Sequence, residues 1–145
     1  MTRMRHPIKR EDGVAAVEFA LILPVLFLIL FGVLEFGRVW SQYQLFQGAA
    51  REGARCASVA STSTCVVQTR ISEAAEPYTP APAATQQLVD ASGTPIAGET
   101  RVNGCLVTDK GQDIQVSWPQ ALQVDIPLWS NMTITTTIKA VFRCE

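Results

Sequence analysis

The chain has 145 residues, 48% of them hydrophobic and 17% charged, with a formal net charge of −1. No basic stripe is present, so nucleic-acid binding has no electrostatic basis. The single histidine, His6, precedes the long apolar segment, and neither a glycine-rich phosphate loop nor a metal-ligand motif occurs, so the sequence calls for no catalytic site, no cofactor and no small-molecule substrate.

Residues 1–12 carry Arg3, Arg5, Lys9 and Arg10 against Glu11 and Asp12, a net charge of +2. From Val14 to Leu34 there follow 21 residues of which Glu18 alone is charged. A helix needs about 20 apolar residues to cross a bilayer, so one span fits. The apolar core of a secretory signal peptide is usually shorter and ends at a small-x-small cleavage site, which "EFGRVW" does not offer. Basic residues before the span keep that end in the cytoplasm and put the C-terminal part outside. Pro24 removes a hydrogen-bond donor within the span and predicts a kink or loosened turn.

The helical pattern continues beyond the span. Val39, Trp40, Tyr43, Phe46, Ala50, Gly53, Ala54 and Ala57 form one stripe at spacings of one, three and four. Trp40 and Tyr43 suit a membrane interface. Glu35 with Arg38, and Glu52 with Arg55, are i,i+3 pairs on the polar side. One helix of about 70 Å, from about Val14 to about Val59, is the simplest reading at about 1.5 Å per residue. The small residues of "GAAREGARCASVA" fit two arrangements, close approach of another backbone or packing on the chain's own domain.

The division along the chain is then a basic leader over 1–13, a transmembrane and extended helix over 14–60, and an extracytoplasmic domain over 61–145. A domain of that size buries only a small core and often needs disulfides. "SVASTST" breaks the helix and "VVQTRISEAAE" fits a short second one. "EPYTPAPAAT" and "SGTPIAG" read as loop and turn. "RVNGCLVTD", "DIQVSW" and "NMTITTTIKAVFRC" read as strands, the last two from their period-two alternation. The fold class expected is α+β: a long N-terminal helix covering the apolar face of a three- or four-stranded antiparallel sheet.

All four cysteines, Cys56, Cys65, Cys105 and Cys144, follow the apolar span. Outside the cytoplasm two disulfides are the natural reading, with four buried free thiols as the alternative. Three pairings exist. Cys56–Cys65 closes a short loop at the end of the long helix, and Cys105–Cys144 joins two candidate strands, so this set is the one expected.

The N-terminal residues also carry a resemblance. A short basic leader ends in Gly13, Val14-Ala15-Ala16-Val17 follows, and Glu18-Phe19 opens the apolar helix. This resembles the type IV prepilin pattern, in which a membrane-embedded peptidase cuts after the glycine. With Val14 as first mature residue, Glu18 is the fifth, the place of the pilin glutamate. Together with Pro24 and "AAREGAR", residues 10–60 resemble the TadE-like family, pseudopilins of the Flp (tight adherence) pilus system. Val14 stands where prepilins frequently have phenylalanine, and Phe19 where Flp-type sequences often have tyrosine.

The resemblance implies a minor pseudopilin with a structural role in pilus or secretion-filament assembly. It implies processing at Gly13 and Val14, and an assembly role for Glu18 and Phe19. The partners implied are a prepilin peptidase, other pilins and pseudopilins, the pilus assembly platform and the lipid bilayer. The place implied is the bacterial cytoplasmic membrane, single-pass with the N-terminus inside, and an extracellular pilus after processing. The rival reading is an uncleaved, single-pass anchored binding protein with an extracytoplasmic domain.

Overall fold

The computed structural model describes residues 10–59, 65–80, 83–126 and 131–145, with side chains from residue 13 onward. The leader's basic residues Arg3, Arg5 and Lys9 lie outside the described residues. The chain folds around one helix, α1, Arg10–Ser58, 49 residues long. It continues through Pro24 as one element, not as two helices. Proline removes one backbone donor, and a helix this long retains the hydrogen bonds on either side.

The C-terminal end of α1 is closed by the rest of the chain. The last carbonyls of a helix lack intrahelical partners. Here Ala57 O accepts from Cys105 N at 2.8 Å, and Ser58 O from Glu145 N at 3.2 Å. The Ser58 hydroxyl turns back to Arg55 O at 2.8 Å. After the break, α2 spans Val67–Ala74 and buries Val67 and Ile71, one turn apart, on α1.

Four strands follow: β1 Thr85–Val89, β2 Pro95–Arg101, β3 Asp113–Val124 and β4 Met132–Arg143. They form one antiparallel sheet in the order β2-β1-β3-β4. The β3–β4 register puts Ile114 opposite Phe142, Val116 opposite Ala140, Trp118 opposite Ile138 and Leu122 opposite Ile134. Directly opposed residues share a face, so the alternation read in both segments becomes one apolar face. α1 covers it, and Ile114, Val116, Trp118 and Ile138 are buried there with Phe46, Ala50, Ala54 and Ala57. Gln120, on the same face, is buried and accepts from Trp118 Nε1 at 3.1 Å.

Two parts of the sheet differ from the sequence expectation. β2 begins inside the segment read as turn, and β1 takes in Thr85, the last residue of the segment read as loop, and residues 86–89, for which no element was expected. Their connection is held by Asp90, whose Oδ1 accepts from the amides of Ser92 (2.9 Å) and Thr94 (2.8 Å) around Gly93 at φ 79°. Conversely, "RVNGCLVTD" is not a strand around Cys105. Only Arg101 belongs to β2, Gly104 has φ 82°, and Val107–Asp109 is a 3-10 turn. Buried Asp109 fixes this geometry, with Oδ2 accepting from Leu106 N (2.8 Å) and from Arg101 Nε (2.7 Å), and Oδ1 from Arg101 Nη2 (2.8 Å). The Arg101 guanidinium holds the Asp109 carboxyl below its ordinary range. A ladder strand could not offer that amide to a side chain three residues on.

All four cysteines are bonded: Cys56 to Cys65, with Cα atoms 5.8 Å apart, and Cys105 to Cys144, 5.9 Å apart. Cys105 lies in the irregular segment and Cys144 one residue past β4, so the second bridge joins two segments flanking the sheet rather than two strands.

The small-residue stripe is used internally. Ala49, Ala50, Gly53, Ala54 and Ala57 are all buried. A Cβ added at Gly53 would overlap the Ile71 side chain of α2. Gly53→Ala should therefore destabilise by about 1 kcal/mol net, because overpacking against Ile71 outweighs the gain in helix propensity. Thermal unfolding of the detergent-solubilised variant checks this, and Gly53→Ala with Ile71→Val should recover part of the loss.

Candidate functional site

Over most of its length the N-terminal part of α1 is covered by no other described residue. From Gly13 to Leu34 every residue except Leu23 is exposed. The large side chains Leu21, Ile22, Leu26, Phe27 and Leu30 all face outward, each at least half exposed. This is the one helix long and apolar enough to cross a membrane among the described residues. Such a surface cannot stay in water, so lipid or other helices must cover it.

Gly13, Val14, Glu18 and Phe19 all lie on this stretch, within α1. Gly13 is not a cap, since the helix already begins at Arg10. Among the described residues, nothing outside the local helix stands within 4 Å of the place a Gly13 Cβ would occupy. Glycine within a helix costs about 1 kcal/mol relative to alanine, so the Gly13–Val14 bond sits at a locally weak point near the helix end. Val14 and Glu18 are i and i+4 and therefore neighbours on one face. Phe19 is turned about 100° away from Glu18 around the axis. The four residues are brought together by the helix alone.

The second feature is the attachment of α1 to the sheet just beyond the apolar span. The Arg38 guanidinium pairs with both Glu35 carboxylate oxygens, Nε to Oε2 at 2.9 Å and Nη2 to Oε1. Nη2 also donates to Gln123 O at 2.9 Å and to Asp125 Oδ2 at 3.2 Å. Asp125 N donates to Glu35 Oε1 at 2.7 Å. Helix and β3 are thus joined where β3 ends. The hydrogen bond from Arg38, and then that from the Asp125 amide, lower the Glu35 carboxyl from 4.5 to about 2. The i,i+3 pair was legible in the sequence. Its third and fourth partners, some ninety residues further on, carried no signal there.

Two depressions lie on the described surface. A shallow one of about 570 Å³ beside the Cys56–Cys65 bridge is lined by Glu52, Arg55, Arg70 and Glu73 among others. Its charges are mixed in sign and solvated, and they single out no ligand. The other, about 730 Å³, is an apolar groove between α1 (Pro24, Phe27, Phe31) and the β3–β4 hairpin (Val124, Ile126, Ile134), with Glu35 and Asp125 at its wall.

The family model described as TadE-like protein matches residues 13–55. The match opens on Gly13 and ends one residue before Cys56, so it covers the helix and none of the sheet. No curated protein and no solved structure matches the chain.

The Glu35 attachment has a pH signature. Its folded pKa is lowered, so its contribution is present above 4.5 and is lost as pH falls toward about 2. Melting temperature in detergent should fall across that window, and Glu35→Gln should flatten the fall. A variant retaining the full wild-type slope would show that other carboxyls, Asp109 first among them, carry it.

Proposed function

We propose that this protein is a pilus-associated membrane protein of the Flp (tight adherence) type and, more finely, a minor pseudopilin with a structural role in assembly. The observation that carries the reading is one spacing. Gly13, Val14 and Glu18 head an outward-facing apolar helix, and the TadE-like match begins at that glycine. Isolated glycines and isolated helix-end carboxylates are common, but a glycine, a new amino terminus one residue on and a carboxylate four residues after that form a unit with a use.

In this reading α1 holds the protein in the bacterial cytoplasmic membrane with the sheet domain outside. A prepilin peptidase cuts between Gly13 and Val14, where no side chain on the glycine obstructs the backbone. The cut removes the basic leader that holds the N-terminus at the cytoplasmic face. It also creates an amino group on Val14. A carboxylate at the centre of a membrane helix costs about 2.5–3.5 kcal/mol on insertion scales, and less near its end. Glu18 offsets that cost by pairing with the Val14 amine, on its own helix or on a neighbouring pilin's. Pairing between helices fixes the axial register of otherwise featureless apolar surfaces, and Phe19 packs beside it.

Two outcomes are expected. Intact mass of the mature protein should correspond to a chain starting at Val14, and Gly13→Leu should leave the leader in place. An identical, uncut mass in cells with and without the peptidase would instead support the anchored, unprocessed binding protein. Glu18→Ala should insert and be cut like the wild type but fail to co-purify with other pilins, with Glu18→Asp intermediate. Normal co-purification of the alanine variant would leave Glu18 as a tolerated helix-end charge.

A further inference from the structure

β3 runs back along α1 toward the apolar span. Its start lies near the helix C-terminus, where Cys144 N, just past Asp113's partner Arg143, bonds Gln112 O and the next residue, Glu145, bonds Ser58 O. Its end lies at Glu35, where the Asp125 amide is bound. The apolar face does not stop there. Val124 pairs with Met132 and Leu122 with Ile134, and Ile126 follows beyond the attachment point. Met132 is 53% and Ile134 47% exposed, so these side chains gain little from the domain's own core.

The groove fixes the level of this end. Its walls include Ile126 and Ile134 on one side and Phe31 and Phe27 on the other. Phe31 lies about 6 Å and Phe27 about 12 Å further along the helix than Glu35, at about 1.5 Å per residue. Both belong to the apolar span Val14–Leu34. On the other side of Glu35, Phe36 and Trp40 are exposed and stacked, with ring centroids 6.2 Å apart. Trp is enriched at membrane–water interfaces, and Trp40 marks that level here. The hairpin end and the aromatic pair therefore bracket one boundary.

We propose that the β3–β4 hairpin is a second membrane contact: Val124, Ile126, Met132 and Ile134 enter the lipid leaflet nearest the domain, and acyl chains fill the groove between hairpin and α1. This rests on the reading of α1 as a membrane span. The occupant is lipid because the helical wall of the groove is itself part of that span, so at this level the surrounding medium is hydrocarbon. The Glu35–Arg38–Asp125 cluster then sits at the headgroup level, with its charges paired. The domain is held against the bilayer at two points and cannot swing freely about α1.

The test is photocrosslinking of the full chain in vesicles of phosphatidylethanolamine and phosphatidylglycerol. p-Benzoylphenylalanine replaces Ile134, Met132, Leu21 or Val107 in turn, and intact mass under non-reducing conditions reports the adducts and both disulfides. All four positions are exposed, so the probe is tolerated. Lipid adducts are expected at Leu21, Ile134 and Met132, with Ile134 exceeding Val107 by about ten-fold, as a side chain at hydrocarbon depth should. Adducts at Leu21 with none at either hairpin position would overturn the proposal and leave the span intact. Adducts at none of the three would remove the span and the proposal together. A doubled protein mass as the main product at Ile134 would show a second copy in the groove and overturn lipid as its occupant.

Discussion

One helix has to satisfy two environments. Over Val14–Leu34 α1 presents large apolar side chains in every direction, and over Phe46–Ala57 it presents one face of small ones. Helix-on-sheet packing depends on how closely backbones approach. Ala50, Gly53, Ala54 and Ala57 let α2 and the sheet come near enough to bury Trp118, Ile114, Ile138 and Ile71. α2 and the buried part of the sheet are assembled on that face. The stripe is consequently occupied, and it has no room for a helix from another subunit. A contact between α1 and another helix would therefore fall to the N-terminal half, the part the domain leaves bare.

The domain is tied to this rod unequally at its two ends. Far from the span, Cys56–Cys65 closes the loop after α1, and Cys105–Cys144 joins the segment after β2 to the end of β4. Hydrogen bonds from Cys105 N and Glu145 N to the last helix carbonyls sit at the same place. Near the span the attachment is ionic, through Glu35, Arg38 and Asp125, and Arg38 is 38% exposed there. Exposed ion pairs contribute little individually, about 0–1 kcal/mol. The far end is held by covalent bonds, and the end near the span by a weaker polar attachment.

Much of this was legible in the sequence because two periodicities carried it. From Phe46 to Ala57 the 3.6-residue stripe became the buried face of α1, while its upstream members Val39 and Tyr43 are half-buried and Trp40 is exposed; period-two alternation over Ile114–Trp118 and Met132–Phe142 became β3 and β4. β1 and β2 were not legible, for physical reasons. β2 is an edge strand whose residues are mostly exposed, so it needs no apolar alternation. β1 turns Gln86 toward the interior, where it accepts from Gly104 N at 2.6 Å and donates to Val102 O at 2.9 Å. A buried glutamine satisfied by a distant loop has no local signature. The same loop misled the reading of "RVNGCLVTD", whose β-branched residues suit a strand but whose Asp109 and Gly104 impose a turn. At the candidate site, the Gly13–Glu18 spacing stood out because it is local, whereas Asp125 joins Glu35 only through the fold.

The bare half of α1 raises a question of specificity that apolar surface cannot answer. Exchanging lipid tails for neighbouring side chains gains little, because both are equally apolar and the hydrophobic effect does not distinguish them. Between Val14 and Leu34 the chain carries two departures from a uniform surface. Glu18 is the only charge, and Pro24, lacking an N–H, leaves the Ala20 carbonyl without its usual helical donor. These two lie about 3 Å apart along the axis, counted from Glu18 to Ala20 at about 1.5 Å per residue. A neighbouring helix that offers a cation to the first and a donor to the second can do so in one axial register only. A helix displaced by a turn would leave both groups unpaired in hydrocarbon. In the pseudopilin reading, position along a bundle would be encoded by a few polar atoms within one turn, and the remaining apolar residues would supply contact area without preference for register.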